Sequence, residues 1–380
     1  MNIMGYRNPD LDPVFDGMAK WQDADHRRRG FHNLHTTARY AMSLRAPGVL
    51  PLRREIDWTI GDRPEVARFL AVRHFSAFAM VRGDRILYEA YAPDFGPEKP
   101  HAIMSITKTT LHLMLGRAVA EGLVSLDDPI STYLPEIGTG YAEATVKDVA
   151  NMNVANDFIL DYGVPNALCF DGADASYGWR LPQEGQKEET TRSFLCSITG
   201  NDLANRTGHL IYKCPNTEVL AWVIERSSGR GLRDWLIEIV EAAGLEGPFH
   251  ITCDREGVPL ISGGASLTAR DLARYGLLFA RGGEGVDGLR VGDAAFMEET
   301  RRDPSSPAQA DTNEFMKRYS RHLSTDGISV GHGGYGGQYM LVNPETDTAV
   351  VYFGVIDNRT ADAANFHLPL VHMMAALAAE

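Results

Sequence analysis

The chain has 380 residues, of which 44% are hydrophobic and 23% charged, as is usual for a globular protein. Its formal net charge of -13 argues against broad binding to DNA, RNA or an anionic membrane surface. The sequence shows no apolar run long enough to span a bilayer and no signal-peptide core near the N-terminus. We therefore expect a cytoplasmic protein, although a secreted chain without its leader would look the same.

The cysteines give no sign of a metal site or a disulfide framework. Four thiols in a chain of this length, without paired spacing, are typical of reduced cysteines. They are Cys169, Cys196, Cys214 and Cys253. We expect neither a metal nor another cofactor.

The N-terminal third contains an arm and a hairpin. Residues 1–52 carry turn residues, charges and the basic cluster Arg27-Arg28-Arg29, which predicts a solvated arm or a wrap around the body. The runs 75–80 and 86–91 are strand-like, and a short polar link around Gly83 joins them as a hairpin.

Helical patterns fill the middle of the chain, and strands return near its end. Apolar periodicity and capping residues predict helices over 109–124, 145–152, 215–228, 232–243, 269–281 and 366–378. Two later runs, 338–342 and 348–355, predict strands. The order favours an α/β (α+β) fold: an antiparallel β-sheet flanked by helices, with an inserted all-helical lobe. We expect an arm over 1–52, a sheet lobe over 53–104 and 255–380, and a helical lobe with active-site loops over 105–254.

A long segment, 153–186, lacks a clear period and is rich in glycine, aspartate and aromatic residues. Such stretches in compact domains usually form lids or binding loops. We expect it to line a cleft, where four aromatic side chains are available to a ligand: Tyr162, Phe170, Tyr177 and Trp179.

The motif Ser105-Ile106-Thr107-Lys108 precedes the first long helical pattern. If Ser105 opens that helix, Lys108 lies on the same face. An amine held neutral by burial could then take the hydroxyl proton and create a nucleophile. An N-cap serine with a solvated lysine explains the same residues, so the motif needs support from elsewhere.

Two later motifs supply that support. Tyr212 is followed four residues later by Asn216, and His332-Gly333-Gly334 precedes Tyr335 beside a predicted strand. Alone, each has a structural explanation as a packing tyrosine, a capped histidine or a bulged hairpin. In this order, and with Ser105-x-x-Lys108, they resemble the serine β-lactamase and penicillin-binding-protein superfamily, in the branch of class C β-lactamases, DD-peptidases and related esterases.

Within that branch the chain is most similar to the nylon-oligomer amidases, the 6-aminohexanoate-dimer hydrolases. The matching stretches are 153–162, 212–226, 263–274 and the residues from Gly337 onward. The long match over 212–226 is far more specific than any four-residue motif. The resemblance covers most of the chain from about Phe75.

The resemblance implies acyl transfer through a covalent serine intermediate. Ser105 would be the nucleophile, and Lys108 with Tyr212 the general base, with the division between them open. The backbone N–H groups of Ser105 and Tyr335 would bind the oxyanion. The substrate-binding residues would be Tyr162, Asp174, His332, Gly333 and Gly334, although packing or solvation is a simpler explanation for Asp174.

Two departures from the β-lactamase pattern favour a different substrate. His332 stands where β-lactamases have a lysine that holds the substrate carboxylate, and a histidine would be a weaker, pH-dependent anion site. The asparagine that class C enzymes have two residues after the tyrosine is replaced by Cys214, which we expect to pack beside the site.

These features leave three hypotheses, each with a small-molecule ligand and no nucleic-acid or membrane partner. The first is a hydrolase of small linear amides, similar to 6-aminohexanoate-oligomer hydrolases. The second is a carboxylesterase or D-amino-acid amidase that uses the same residues. The third is a catalytically silent penicillin-binding-type sensor, which the intact Ser105, Lys108 and Tyr212 argue against. A homodimer is one assembly that the resemblance leaves open.

Overall fold

A computed structural model describes residues 25–159, 173–182, 184–185, 187–303, 318–357 and 365–380. The predicted loop residues Tyr162 and Phe170, and also Cys169, lie outside these ranges. The strands are β1 Ala41–Leu44, β2 Arg53–Arg54, β3 Phe75–Arg82, β4 Arg85–Tyr91, β5 His101–Ala102, β6 Phe249–Thr252, β7 Ala265–Leu267, β8 Arg318–Ser320, β9 Leu323–Thr325, β10 Val330–Gly334, β11 Gln338–Asn343 and β12 Thr348–Gly354. The α-helices are Arg27–His32, Leu34–Thr37, Thr59–Asp62, Pro64–Leu70, Thr109–Ala120, Val146–Ala150, Thr191–Ser197, Cys214–Ser228, Leu232–Ala243, Ala269–Ala280, Ala294–Arg302 and His367–Ala379.

The main sheet has eight strands in the order β2-β4-β3-β12-β11-β10-β9-β8. The predicted hairpin of β3 and β4 and the predicted pair β11 and β12 are confirmed, and both pairs are antiparallel. The predicted antiparallel sheet is confirmed except at one edge, where β2 pairs in parallel with β4. The chain passes through two helices between β2 and β3, and such a crossover permits a parallel pair.

Helices cover both faces of this sheet. Gly276, in the helix Ala269–Ala280, lies so close to β12 that an added Cβ would stand 3.0 Å from the Cβ of Ala349. Tyr352, three residues further along β12, points to the other face, where its ring lies 5.7 Å from that of Phe366. Because both faces are covered, every residue of β11 and β12 is buried.

A second, four-stranded sheet in the order β1-β6-β7-β5 was not predicted. Its strands contain two to four residues each, too few for a periodic sequence signal. β1 comes from the predicted arm, and β6 from the predicted helical lobe. β5 ends three residues before Ser105, and the next residue, Ile103, donates a backbone hydrogen bond to Ala265 at 2.9 Å. This small sheet therefore positions the segment that carries Ser105.

The long predicted helices are present. Cys214–Ser228 ends at Gly229 and Leu232–Ala243 ends at Gly244, both in the left-handed conformation with φ of 66° and 59°. Thr268 caps Ala269–Ala280 through its side chain, as predicted. None of the helices in the described ranges combines the length and apolarity needed to cross a bilayer.

Candidate active site

Ser105 lies in a tight 3-10 helix, Met104–Lys108, which runs directly into the helix Thr109–Ala120. Met104 has a φ of 48°, in the left-handed region that a methionine rarely adopts. The Thr107 hydroxyl donates to the Met104 carbonyl at 2.6 Å and accepts from the Ala265 N–H at 3.2 Å. These bonds hold the strained turn in place, and strain of this kind is concentrated at functional sites.

Lys108 is completely buried behind the serine. Its Nζ donates to the Ser105 Oγ at 3.1 Å and to the Ser262 carbonyl oxygen, and it lies 3.5 Å from the Cys214 Sγ. Lys108 has 0% exposure, whereas Ser105 is partly exposed. A substrate can therefore reach the hydroxyl but not the amine.

Tyr212 completes the cluster from the other side. Its ring centroid lies 5.0 Å from the Lys108 Nζ. Its hydroxyl is buried and makes no hydrogen bond of standard geometry, and burial raises the pKa of the phenol although Lys108 and Ser105 act against that rise. Tyr212 stands just before the helix Cys214–Ser228, which packs against Thr109–Ala120. The contact between these two helices is what brings the phenol to the serine.

The electrostatics correct one expectation. Burial opposes the charged form of Lys108, but the neighbouring Cys214 and Tyr212 outweigh it and raise the pKa of the amine above its usual value. The Ser262 carbonyl also accepts a hydrogen bond from this nitrogen. Burial raises the pKa of Tyr212, although the charge of Lys108 works against that rise. Both shifts favour an ammonium on Lys108 and a neutral phenol on Tyr212, whereas burial alone would favour a neutral amine.

The end of β10 lies against the serine turn. An added Cβ at Gly334 would stand well inside contact distance of the Ile103 carbonyl oxygen. Beyond Tyr335, the turn contains Gly336 and Gly337, with φ of 92° and 88°. Tyr335 therefore directly follows a strand that touches the segment bearing Ser105. The role of its N–H in binding an oxyanion stays a prediction.

Comparison with known proteins agrees with this arrangement. The β-lactamase family model matches residues 66–365. The chain belongs to the β-lactamase family. It is 31% identical over 355 residues to a 6-aminohexanoate-dimer hydrolase of Paenarthrobacter ureafaciens, covering 90% of this chain and 87% of the relative.

Solved structures show the same fold at lower sequence identity. A candidate 6-aminohexanoate-dimer hydrolase from Bacillus anthracis superimposes with a TM-score of 0.82 at 16% identity, over 97% of each chain. A family VIII carboxylesterase gives a TM-score of 0.59 at 14% identity, covering 88% of this chain and 99% of the other.

The described part of the N-terminal arm, residues 25–52, packs against the body of this β-lactamase-family protein, and its Phe31 supports the turn after β10. The Phe31 ring stacks on Tyr335 with centroids 6.4 Å apart, and an added Cβ at Gly336 would collide with it. Phe31 is fully buried, and an ion pair of 2.7 Å between Arg27 and Asp357 holds the arm nearby. The sequence predicted the wrap as one of two options but not this contact with the site.

His332 is buried, and both of its ring nitrogens are engaged. Its Nδ1 lies 2.6 Å from the Gly333 carbonyl, so it carries the proton, and its Nε2 accepts from the Tyr319 hydroxyl at 3.1 Å. Burial, with the charge of Lys108, lowers its pKa to about 3. The ring is neutral at physiological pH, which corrects the expectation of a pH-dependent anion site. Any contact of His332 with substrate stays a prediction.

The other predicted binding residues have mixed outcomes. Asp174 is partly buried, and its carboxylate lies 3.5 Å from the Arg180 Nε. Gly333 is partly exposed on β10, and Gly334 is buried. Tyr162 lies outside the described residues. The structure therefore places Gly334 beside the serine turn, and leaves the substrate-binding roles of Gly333, Gly334, Asp174 and Tyr162 as predictions.

Of the two residues that follow Tyr212 in its motif, Cys214 contacts Lys108 and Asn216 does not. Asn216 does not reach the lysine: its Oδ1 accepts from Tyr141 at 2.7 Å and its Nδ2 donates to the Val149 carbonyl at 3.3 Å. Cys214 instead contacts Lys108. The sequence signal for this contact was the presence of Cys214 two residues after Tyr212, at the position where class C enzymes have an asparagine.

Sequence reasoning missed Ser262 and Glu218 entirely. Ser262 contributes a backbone carbonyl, for which no side-chain pattern exists. Glu218 has the spacing of an ordinary helix residue. Among the described residues, no cluster of three or more histidine, cysteine or acidic side chains is arranged to hold a metal ion.

Proposed function

We propose that this protein is a cofactor-free serine hydrolase that cleaves small linear amides through an acyl-enzyme. The observation that carries the proposal is the 3.1 Å contact between the Lys108 Nζ and the Ser105 Oγ, with the Tyr212 ring 5.0 Å from the same nitrogen. A nucleophile and a base within hydrogen-bond reach are the signature of covalent catalysis. The similarity to the 6-aminohexanoate-dimer hydrolase of Paenarthrobacter ureafaciens supports an amide as the substrate.

The first step requires the loss of one proton from the pair Lys108 and Tyr212. The pKa values of both groups are raised, which favours the state in which both are protonated. In that state neither group can accept the Ser105 proton. Once that proton leaves, the pair accepts the Ser105 proton while the Oγ attacks the substrate carbonyl. The two groups interact, so the proton belongs to the pair and not to either residue.

Breakdown of the tetrahedral intermediate returns the proton. The N–H groups of Ser105 and Tyr335 stabilise the oxyanion, a contribution of about a hundredfold or more in rate per donor. The pair then protonates the leaving amine, which departs and leaves the acyl group on Ser105. Water attacks the ester by the reverse path and releases the acid.

Two features support a linear amide over a β-lactam. The position that holds a carboxylate in β-lactamases contains the neutral, buried ring of His332, which offers no cation to that group. From the resemblance we also infer that Asp174 binds the amine end of an amino-acyl substrate and that Tyr162, outside the described residues, contacts the leaving amide. The proposed substrate therefore has a free amine and an internal amide.

Hydrolysis of a matched substrate panel tests this function. The panel pairs short linear amides of ω-amino acids with p-nitrophenyl esters of the same acids and with a chromogenic cephalosporin. We expect turnover of the amides, faster reaction of the activated esters, little cephalosporin cleavage, and a mass increase on Ser105 after a fluorophosphonate. Esterase activity without any amidase activity would favour a carboxylesterase, and the absence of both turnover and adduct would contradict the proposal.

A pair of glycine variants tests the contact between β10 and the serine turn. Gly334→Ala places a methyl group against the Ile103 carbonyl, and backbone atoms cannot rotate away. Overpacking of this kind typically destabilises by about 1–3 kcal/mol. We expect the variant to lower the melting temperature and to reduce kcat by displacing Tyr335.

Gly333→Ala is the matched control for this clash. Its added Cβ would lie 3.4 Å from the Tyr339 ring and 3.9 Å from the Gln338 carbonyl oxygen, and neither distance is a clash. Its melting temperature should stay close to that of the wild type. Equal melting temperatures for the two variants would show that β10 does not press on the serine turn.

A further inference from the structure

Glu218 is a buried carboxyl that the proposed reaction does not use. It lies in the helix Cys214–Ser228, four residues after Cys214, and is only 2% exposed. Its Oε1 accepts a hydrogen bond from the Ser262 N–H at 2.7 Å. Carboxylates are almost never fully buried unless a specific partner holds them. Its position therefore calls for a reason beyond helix formation.

Ser262 connects this carboxyl to the proposed base. Its N–H is bound by Glu218, and its own carbonyl oxygen accepts from the Lys108 Nζ. The N–H and the carbonyl lie in the two peptide planes that meet at the Ser262 Cα, so Glu218 anchors one plane and Lys108 the other, and the two bonds together hold Ser262 in place. Lys108 has no freedom to rotate away, because the same nitrogen contacts Ser105 on its other side.

Glu218 and Lys108 also interact through their charges. Burial raises the pKa of Glu218 to about 7, while hydrogen bonds from Ser262 and the charge of Lys108 limit the rise. The Tyr177 phenol also faces it, and Glu218 contributes to the raised pKa of that group. On its own helix, Cys214 lies one turn away and contacts Lys108. Lys108 is therefore the one cation among these titratable neighbours of Glu218.

We propose that Glu218 is a positioning residue that orients Lys108 through Ser262 and stabilises its ammonium form. This inference rests on the proposed function. Ionised Glu218 favours a proton on Lys108, so the pair Lys108 and Tyr212 becomes a base at a higher pH than it would without the carboxylate. The wild-type rate should accordingly rise as the pH increases above neutral.

Two substitutions separate the charge from the hydrogen bond. Glu218→Gln keeps an oxygen for the Ser262 N–H but removes the charge. We expect its folding and KM to stay close to the wild type, and the acid limb of its kcat/KM profile to move to lower pH by about one unit, since a neighbouring opposite charge has effects of that size. Glu218→Ala also loses the hydrogen bond, and its kcat should fall about a hundredfold, as small displacements of catalytic groups do.

The control lies two turns further along the same helix. Glu225 is partly exposed and forms an ion pair with Arg192, away from the serine. Glu225→Gln should leave both the pH profile and kcat unchanged. Each variant is compared by its melting curve, its pH profile on an amide and a p-nitrophenyl ester, and its rate of fluorophosphonate labelling.

The outcomes are distinct. A shifted profile for Glu218→Gln, with loss of kcat only in Glu218→Ala, supports the positioning role. A Glu218→Gln profile that coincides with the wild type overturns it, whether or not Glu218→Ala folds. Wild-type protein that hydrolyses neither substrate class and takes no label contradicts the proposed function itself, which is a different result from an active wild type with an unshifted variant.

Discussion

Ser105→Ala is expected to reduce turnover of every substrate by at least about a thousandfold, because loss of a nucleophile removes the covalent pathway. The hydroxyl accepts one hydrogen bond, from the Lys108 Nζ at 3.1 Å, and Ser105 is itself partly exposed. Its removal should therefore change the melting temperature little. Intact-mass analysis after fluorophosphonate treatment should show no adduct on the variant.

A matched control distinguishes loss of the nucleophile from a general effect of losing a hydroxyl. Ser227 is also a partly buried serine, and its hydroxyl bonds to the Ile224 carbonyl at 3.3 Å at the C-terminal end of the helix Cys214–Ser228, opposite the end that carries Cys214. Ser227→Ala should keep full activity and full labelling. Turnover by Ser105→Ala at more than a tenth of the wild-type rate would show that another group performs the chemistry.

Lys108→Met is expected to be nearly as inactive as Ser105→Ala, because nucleophile and base act as a unit. Methionine fills a similar volume but cannot accept the serine proton. We expect both acylation, measured as the burst with a p-nitrophenyl ester, and steady-state hydrolysis to fall by about a thousandfold or more. Raising the pH should not restore the rate, because the titrating group is gone.

The stability of this variant should change less than its activity. Removing the ammonium leaves the Ser262 carbonyl without its donor, a loss of about 1–3 kcal/mol, but it also removes the unfavourable burial of a cation. Lys147→Met, at a lysine with 38% side-chain exposure, serves as the control and should keep full activity. Near-normal turnover in Lys108→Met would leave Tyr212 as the sole base and contradict a shared role.

The proposed catalytic residues could be predicted from the sequence because they lie in short motifs. Ser105-x-x-Lys108 and Tyr212 were identified from spacing and resemblance, and the structure brings them together as the motifs implied. The long helices were predictable from caps and apolar periodicity, and Gly229 and Gly244 end them as the sequence indicated. The lobe boundaries and the substrate-binding roles remain predictions.

Other features depend on contacts between distant parts of the chain. The strands of the small sheet are too short for periodicity, yet β5 and β7 determine where Ser105 stands. Phe31 comes from a segment with few structural signals and packs against the turn after β10. Local patterns record local geometry, so they could not show that the arm reaches this turn.

The amino-acid sequence by itself determined which chemical groups are present, namely a hydroxyl, an amine and a phenol in a family order, and which segments form the main helices and strands. Only the tertiary structure decided their charge states. Protonation of Lys108, Glu218 and His332 depends on burial and on neighbours that are distant along the chain, such as Cys214 beside Lys108 and Lys108 beside His332. The free energy of a charge is set by everything within a few ångströms of it, and that environment exists only once the chain has folded.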